Sequence, residues 1–244
     1  MFVFDMKGFQ FKIFLEGISP KIWRRFVVGD SLSFDDFHGV IQRVMGWENY
    51  HLYEFDVGGV KITPDDGEAD YDFLDSKKVS LRDYLKEKQR FNYLYDFGDC
   101  WRHRIVFEKI VDCEDLPKCV DGERACPPED CGGGWGYEEM MEISKDKKHP
   151  EYEEKIVEWL GEDFDFEKFD LEEVNKGLGV SSFWEEGGRV ESVDVNSPEF
   201  KESMKYFKQE NESLDFECAL CGKKIGGHNK YWHKGMCDDC DLVG

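Results

Sequence analysis

Apolar and polar side chains alternate near the start of the chain, over residues 9–15, with the two-residue period of a half-buried β-strand. Phe11 and Ile13 fall on one face of this segment. A turn-forming GISP run follows at residues 17–20, and a second apolar stretch covers residues 22–28. The pattern predicts two consecutive strands joined by a turn.

The next segment, SFDDFHGVIQRVMGW, changes to helical spacing. Ser33 is a good N-cap and Gly46 a natural stop. The positions that share its predicted inner face are Phe34, Phe37, His38, Ile41 and Met45. We expect an amphipathic helix here.

Later segments complete an alternation of strands and helices. HLYEFDVGGVKI predicts two short strands, SLRDYLK a short helix, and FNYLYDFGDCWRHRIVFEKI two longer strands around Gly98. Acidic helices are predicted for the segments YEEMMEI, HPEYEEKIVEWLGE and FDLEEVNKGL. A last helix is predicted for PEFKESMKYFKQEN. The prediction is an α+β fold: a ββαββαββ-type sheet packed with helices, an acidic helical C-terminal part and a small zinc-ribbon or knuckle tail. The expected domains are 1–178, a connector and helix over 179–215, and the ribbon over 216–244.

Charge narrows the choice of partners. The chain of 244 residues carries 54 acidic and 32 basic side chains, a net charge of -22. Such a field repels phosphate backbones and favours basic proteins as partners. The segment from Cys218 to Gly244 differs, because four lysines outnumber three aspartates there.

The start of the chain lacks a basic segment followed by an unbroken apolar run, and no window reaches the roughly 18 apolar residues of a membrane span. We expect a cytoplasmic protein without membrane association. The nine cysteines then favour free thiols and metal thiolates over disulfides.

Several motifs carry a family resemblance. They are PKIWRR at residues 20–25, the His38 to Gly46 helix with Trp47, the segment from His51 to Phe55, YDFGDCWRH at 95–103, GERACPPEDCGGGWGY at 122–137 and WLGEDFDFEKFDLEEVN at 159–175. In this order they resemble the plasmid pRiA open-reading-frame-three-like family over about residues 9 to 178. Some members carry a transposon-passenger, TnpR-like label. The resemblance implies an α+β fold but does not indicate a particular reaction. The TnpR-like label would require the nucleophilic serine and activating arginines of a serine recombinase, and the sequence shows no such group.

The tail contains two CxxC pairs separated by fifteen residues, formed by Cys218, Cys221, Cys237 and Cys240. This spacing is typical of a structural zinc site with four thiolate ligands. Because the protein supplies all four ligands, no position remains for substrate water. Four free thiols or an iron centre are the alternatives.

Asp96, Asp99 and His103 form the best acid-base trio on paper, since a hairpin can bring them together. The competing interpretation is a turn in which the aspartates bond locally while His103 enters a strand. His38 and His51 are expected to be hydrogen-bonded core or boundary histidines.

Arg24 and Arg25 cannot form one anion clamp, because adjacent strand residues face opposite ways.

A second metal cluster is possible within one irregular segment, from Cys113, Cys119, Cys126 and Cys131. Their spacings lack the CxxC turn, so buried reduced thiols are the alternative. The surrounding ACPPEDCGGGWGY run also suggests a phosphate-binding turn or a redox pair. Acidic neighbours oppose both, which favours a rigid turn from sheet to helix.

The leading functional hypothesis is a non-enzymatic protein-interaction or adaptor module with a structural zinc ion. The alternative is a nucleic-acid-associated or ribosome-associated accessory factor that uses the ribbon with Tyr231 and Trp232. A mobile-element enzyme or hydrolase using the Asp96, Asp99 and His103 trio is the third hypothesis.

Overall fold

The structure is a computed structural model that describes residues 7–65, 72–112 and 116–179, with the backbone of residues 215–217 and 224–226. In these residues the chain forms an eight-stranded sheet, a two-stranded sheet and five helical segments. The strands of the large sheet are β1 (Lys7–Leu15), β2 (Trp23–Gly29), β3 (Tyr53–Val57), β4 (Val60–Thr63), β5 (Leu74–Asp75), β6 (Arg90–Tyr95), β7 (Trp101–Asp112) and β8 (Lys118–Glu123). The helices are α1 (Phe34–Met45), α2 (Leu81–Tyr84), α3 (Gly133–Ile143), a π-helix (Glu153–Gly161) and α4 (Leu171–Leu178).

The large sheet has the order β5-β4-β3-β6-β7-β1-β2-β8. All neighbours are antiparallel except β4 and β5. The predicted β-pair is confirmed as β1 and β2, which pair from Gly8 with Gly29 to Phe14 with Trp23. The mixed α+β class with a large sheet packed against helices is likewise confirmed.

One face of the sheet forms the core against α1. Phe11 and Ile13 are fully buried, and the rings of Phe11 and Phe37 lie 4.7 Å apart. Each such side chain contributes about 1.5–3 kcal/mol by leaving water. Ser33 caps α1 in a capping box with Asp36, and Gly46 ends it with a positive φ of 94°.

Three elements differ from the prediction, and the first is the unexpected two-residue strand β5, which pairs parallel with β4. Strand β8 lies in the segment expected to be irregular, where the sequence KCVDGE has an Asp-Gly pair typical of a turn. It forms because β2 offers a free edge, with which it pairs through a register shift at Arg25 and Phe26. The segment from Glu153 to Gly161 is a π-helix, whereas an ordinary acidic helix was expected.

The C-terminal predictions are only partly covered. Two short strands, β9 (Asp215–Glu217) and β10 (Lys224–Gly226), pair antiparallel. The four tail cysteines and most of the connector lie outside the described residues. Among the helices that are described, none combines the length and the apolar character needed to cross a membrane.

Candidate functional site

Three loops meet at the end of the sheet where β3 begins and β6 ends. They are residues 46–52, which follow α1, the β6–β7 turn at 96–100, and the β8–α3 loop at 124–132. The Asp96 amide donates a hydrogen bond to the Leu52 carbonyl at 3.0 Å. The Trp47 indole N–H donates to the Pro127 carbonyl at 2.9 Å, which joins the first loop to the third.

A histidine and three carboxylates converge between these loops. His51 Nε2 lies 3.7 Å from Asp96 Oδ2, 4.0 Å from Glu129 Oε2 and 3.5 Å from Asp130 Oδ1. One ligand atom each from His51, Asp96 and Asp130 lies within 4.8 Å of the other two. We call the four residues His51, Asp96, Glu129 and Asp130 the imidazole-carboxylate cluster.

Within the described residues, hydrogen bonds hold Glu129 through one of its two carboxylate oxygens. Its Oε1 accepts hydrogen bonds from the Tyr95 hydroxyl and from the Glu48 amide, both at 2.9 Å. Burial, and then the bond to Glu129, raises the pKa of Tyr95, so the phenol keeps its proton and donates. The other oxygen, Oε2, is buried, has no hydrogen-bond partner among the described residues and lies 4.0 Å from His51 Nε2.

Asp96 is oriented in a similar way by the hairpin turn. Its Oδ1 accepts from the Gly98 amide at 2.8 Å, and its side chain is only 8% exposed. Asp96 has a positive φ of 54°, which aspartate tolerates better than most residues because its side chain bonds locally. This turn leaves Oδ2 directed at the imidazole.

The β8–α3 loop reaches the cluster because glycine lets two backbones come very close. A Cβ atom on Gly133 would lie 2.5 Å from the Asp99 carbonyl oxygen, and Gly133 has a φ of 68°. The adjacent Gly132 amide donates to Asp99 Oδ2 at 3.2 Å. The expected rigid turn from sheet to helix therefore also presses the loop carrying Glu129 and Asp130 against the β6–β7 turn.

The predicted trio of Asp96, Asp99 and His103 is not joined by any hydrogen bond or ion pair that the described residues show. Asp96 faces His51, while Asp99 receives the Gly132 amide. His103 is fully buried on β7, where Nδ1 lies 3.3 Å from the Tyr93 carbonyl oxygen, and burial lowers its pKa to about 3. The turn-and-strand interpretation describes these three residues better.

The structure describes both of the other histidines. His38 is the core histidine expected: its ring nitrogens lie 2.8 Å from the Tyr93 hydroxyl and 2.6 Å from Asn49 Oδ1. Burial lowers the pKa of His38 to about 4. His51 lies at the boundary between core and solvent, with a side chain 29% exposed, but its Nε2 is buried without a hydrogen-bond partner in the part of the chain described.

The two arginines face opposite ways, as predicted. The Arg24 guanidinium is buried and donates to four backbone carbonyls, including that of Val44 at 3.0 Å. Arg25 lies on the other face and forms a two-pronged ion pair with Glu108, with bonds of 2.9 Å and 3.1 Å.

The proposed second cysteine cluster is only partly described, because Cys113 lies outside the described residues. Cys119, Cys126 and Cys131 are free thiols and do not form a three-ligand group within 4.8 Å. Burial raises the pKa of Cys126 and of Cys131 to about 12, so both thiols stay protonated at neutral pH. These three cysteines resemble the buried reduced thiols of the alternative interpretation.

Chemically, the imidazole-carboxylate cluster can act in two ways. A protonated His51 would form ion pairs with the three acids, or a neutral His51 and the acids would ligate a divalent cation. Of its four residues, sequence reasoning singled out only Asp96 as a candidate. The other three were missed because their loops meet only after the sheet has formed.

Exposed apolar side chains lie on the loops that carry the cluster and in the helix that directly follows the third loop. Tyr50 and Leu52 flank His51, Phe97 follows Asp96, and Trp135 lies in the first turn of α3. Their exposed fractions are 67%, 51%, 49% and 75% in that order. These four are half of the eight large hydrophobic side chains that are exposed in the described part of the chain, and we call them the apolar rim.

Comparison with known proteins places the fold in a wider group. An uncharacterised protein, y4hQ, from Sinorhizobium fredii is 35% identical over 174 residues, which cover 69% of this chain and 89% of that protein. The crystal structure of a protein of unknown function from Methanosarcina mazei Go1 is 41% identical, with a TM-score of 0.64. It covers 68% of this chain and 97% of its own. Residues 7–173 match the profile of the plasmid pRiA4b ORF-3-like proteins, and the chain belongs to that family.

Proposed function

We propose that this protein is a non-enzymatic, cytoplasmic binding module that recognises a basic protein through the apolar rim. The single observation that carries the proposal is that half of the large exposed hydrophobic side chains in the described residues lie on, or directly after, three interlocked loops. Exposed apolar groups of this kind, bordered by polar residues, are typical of interaction sites.

The energetics favour the rim as a contact surface. Trp135 and Phe97 are aromatic, and aromatic side chains dominate the binding energy of protein interfaces. Full burial of such a side chain contributes about 1.5–3 kcal/mol. Phe97 and Trp135 have 49% and 75% of their surface still to bury on binding, and so would gain that fraction. The backbone beneath is fixed by the Gly132–Asp99 and Asp96–Leu52 hydrogen bonds, so little ordering opposes association.

The charge of the chain determines the class of partner. A net charge of -22 attracts basic surfaces over long range and repels nucleic-acid backbones. Asp130, with a side chain 73% exposed, provides an acidic contact beside the rim. We therefore expect association with a basic protein that weakens as salt is added.

The tail supplies a second element of the proposal. Its two CxxC pairs bind one structural zinc ion through Cys218, Cys221, Cys237 and Cys240, and the resulting ribbon is an additional interaction module. Because lysines outnumber aspartates there and Tyr231 and Trp232 can stack on bases, contact with RNA or DNA is the second candidate.

The test compares partner capture by the full-length protein and two variants. Phe97→Ala combined with Trp135→Ala removes the two rim aromatics, and Trp159→Ala removes an aromatic that is 47% exposed on the π-helix. Each is used as bait in native lysate at low and at high salt, followed by mass spectrometry.

We expect the unmodified protein and the Trp159→Ala control to capture the same basic proteins at low salt. The rim double variant should lose them by tenfold or more. Partners that are captured equally by all three baits would overturn the proposal. Partners that depend on the tail cysteines and on added nucleic acid would support the second candidate instead.

A further inference from the structure

We propose that His51, Asp96, Glu129 and Asp130 bind one divalent first-row transition cation. This site lies in the body of the protein and is separate from the zinc site proposed for the tail. The inference goes beyond the binding function above, because either can hold without the other.

The distances within the cluster suit ligation better than direct pairing. His51 Nε2 is 3.5, 3.7 and 4.0 Å from its three carboxylate neighbours. These separations exceed the limit of about 3.2 Å for a good N–H···O hydrogen bond. Two tetrahedral ligands about 2.1 Å from a metal ion lie roughly 3.4 Å apart. Small movements of His51, Asp96 and Asp130 would therefore complete three ligand positions, and a larger movement of Glu129 would complete the fourth.

A second observation, independent of the acidic character, points to a ligand. His51 Nε2 and Glu129 Oε2 are both buried without a hydrogen-bond partner among the described residues. The Asp96 carboxylate, more than nine-tenths buried, directs Oδ2 toward the same point. Unpaired buried polar atoms are costly, and a cation would satisfy all of these atoms at once.

The surrounding bonds preorganise the ligand oxygens. Tyr95 and the Glu48 amide occupy Oε1 of Glu129, and the Gly98 amide occupies Oδ1 of Asp96. Each carboxylate therefore presents its remaining oxygen to the cluster. Donors of this kind outside the coordination sphere are typical supports of metal sites.

The donor set also limits which ion can bind. One imidazole nitrogen with carboxylate oxygens suits Zn²⁺, Mn²⁺ or Fe²⁺, whereas Mg²⁺ and Ca²⁺ prefer all-oxygen sites. Asp130 is the most exposed of the four ligands, which leaves the solvent side open for entry of the ion. A bound cation would also join the three loops that carry the apolar rim.

The experiment is a titration of the full-length protein with Mn²⁺, followed by calorimetry and by electron paramagnetic resonance of the free ion. Mn²⁺ is the probe because the soft thiolates of the tail discriminate against it. Asp96→Asn and Glu129→Gln each remove one charged ligand with little change in shape. Asp99→Asn is the matched control, since Asp99 lies in the same turn but bonds to the Gly132 amide.

We expect one Mn²⁺ per chain, at least tenfold weaker affinity in the two ligand variants and unchanged affinity in the control. Elemental analysis of protein purified with zinc should give two ions per chain, falling to one in Asp96→Asn. The inference is overturned if the unmodified protein binds no Mn²⁺ at millimolar concentration, or if the ligand variants bind as well as the control. Far-UV circular dichroism establishes whether each variant is folded. If Asp96→Asn does not fold, the Mn²⁺ affinity of Glu129→Gln decides the outcome.

Discussion

Replacement of Gly133 by alanine should be unusually damaging, because two separate costs add at this position. With φ at 68°, an L side chain pays the left-handed penalty of about 1–2 kcal/mol. The new Cβ would also lie 2.5 Å from the Asp99 carbonyl oxygen, a backbone atom that cannot rotate away. Overpacking of this kind typically costs a further 1–3 kcal/mol. The sum is about 2–5 kcal/mol of unfolding free energy.

Gly58 provides a control with nearly the same φ angle. Its φ is 64°, but no atom of the described residues lies within 4 Å of the position a Cβ would take. Gly58→Ala should therefore cost only the conformational penalty of about 1–2 kcal/mol. Urea unfolding followed by tryptophan fluorescence gives both values, and their difference isolates the contact between the β8–α3 loop and the β6–β7 turn. Equal destabilisation by the two substitutions would refute that close approach.

Four further predictions concern the core, the first helix and the two metal sites. The buried histidines His38 and His103 have pKa values of about 4 and about 3, below the unfolded value of about 6.5. The unfolded chain therefore binds more protons, so stability that is complete at pH 7 is lost as pH falls from 6.5 toward 4, by about 1.4 kcal/mol per pH unit for each histidine. His103→Gln should reduce the loss of unfolding free energy by about 1.4 kcal/mol per pH unit in this range, as measured by urea unfolding at several pH values. An unchanged pH dependence would contradict a buried neutral imidazole at His103. Ser33→Ala should lower the unfolding free energy by about 1 kcal/mol through loss of the α1 cap, and no change in the urea midpoint would disprove that role. Tyr95→Phe should weaken Mn²⁺ binding about 10–100-fold, because the donor to Glu129 is lost, whereas equal affinity in calorimetry would leave Tyr95 without this role. Cys237→Ser should remove the tail zinc in elemental analysis, and full retention of zinc would exclude Cys237 as a ligand.

The sequence predicts a helix or strand correctly where the signals for that element lie within its own residues. The alternation through Phe11 and Ile13 predicts β1, and Ser33 with Gly46 delimits α1, because periodicity and caps are local signals. Strand β8 was missed because its Asp-Gly pair favours a turn, and pairing with β2 overrides that local preference.

Most residues of the candidate site could not be predicted from the sequence, because they come together only in the folded protein. Asp96 stood out because it lies in a short motif with other titratable residues. His51 and Glu129 belong to loops far apart in the chain, and their approach depends on the pairing of β3 with β6 and on the close contact at Gly133. A local motif points to Asp99 and His103 as partners of Asp96, whereas the folded sheet supplies His51.

The most direct test of the imidazole-carboxylate cluster is the anomalous scattering of a crystal of the full-length protein grown with Mn²⁺. We predict one anomalous peak in the body of the protein, about 2.0–2.3 Å from His51 Nε2 and from oxygens of Asp96 and Asp130. A well-ordered cluster without such a peak, or a peak bound elsewhere in the body, would contradict the cation site.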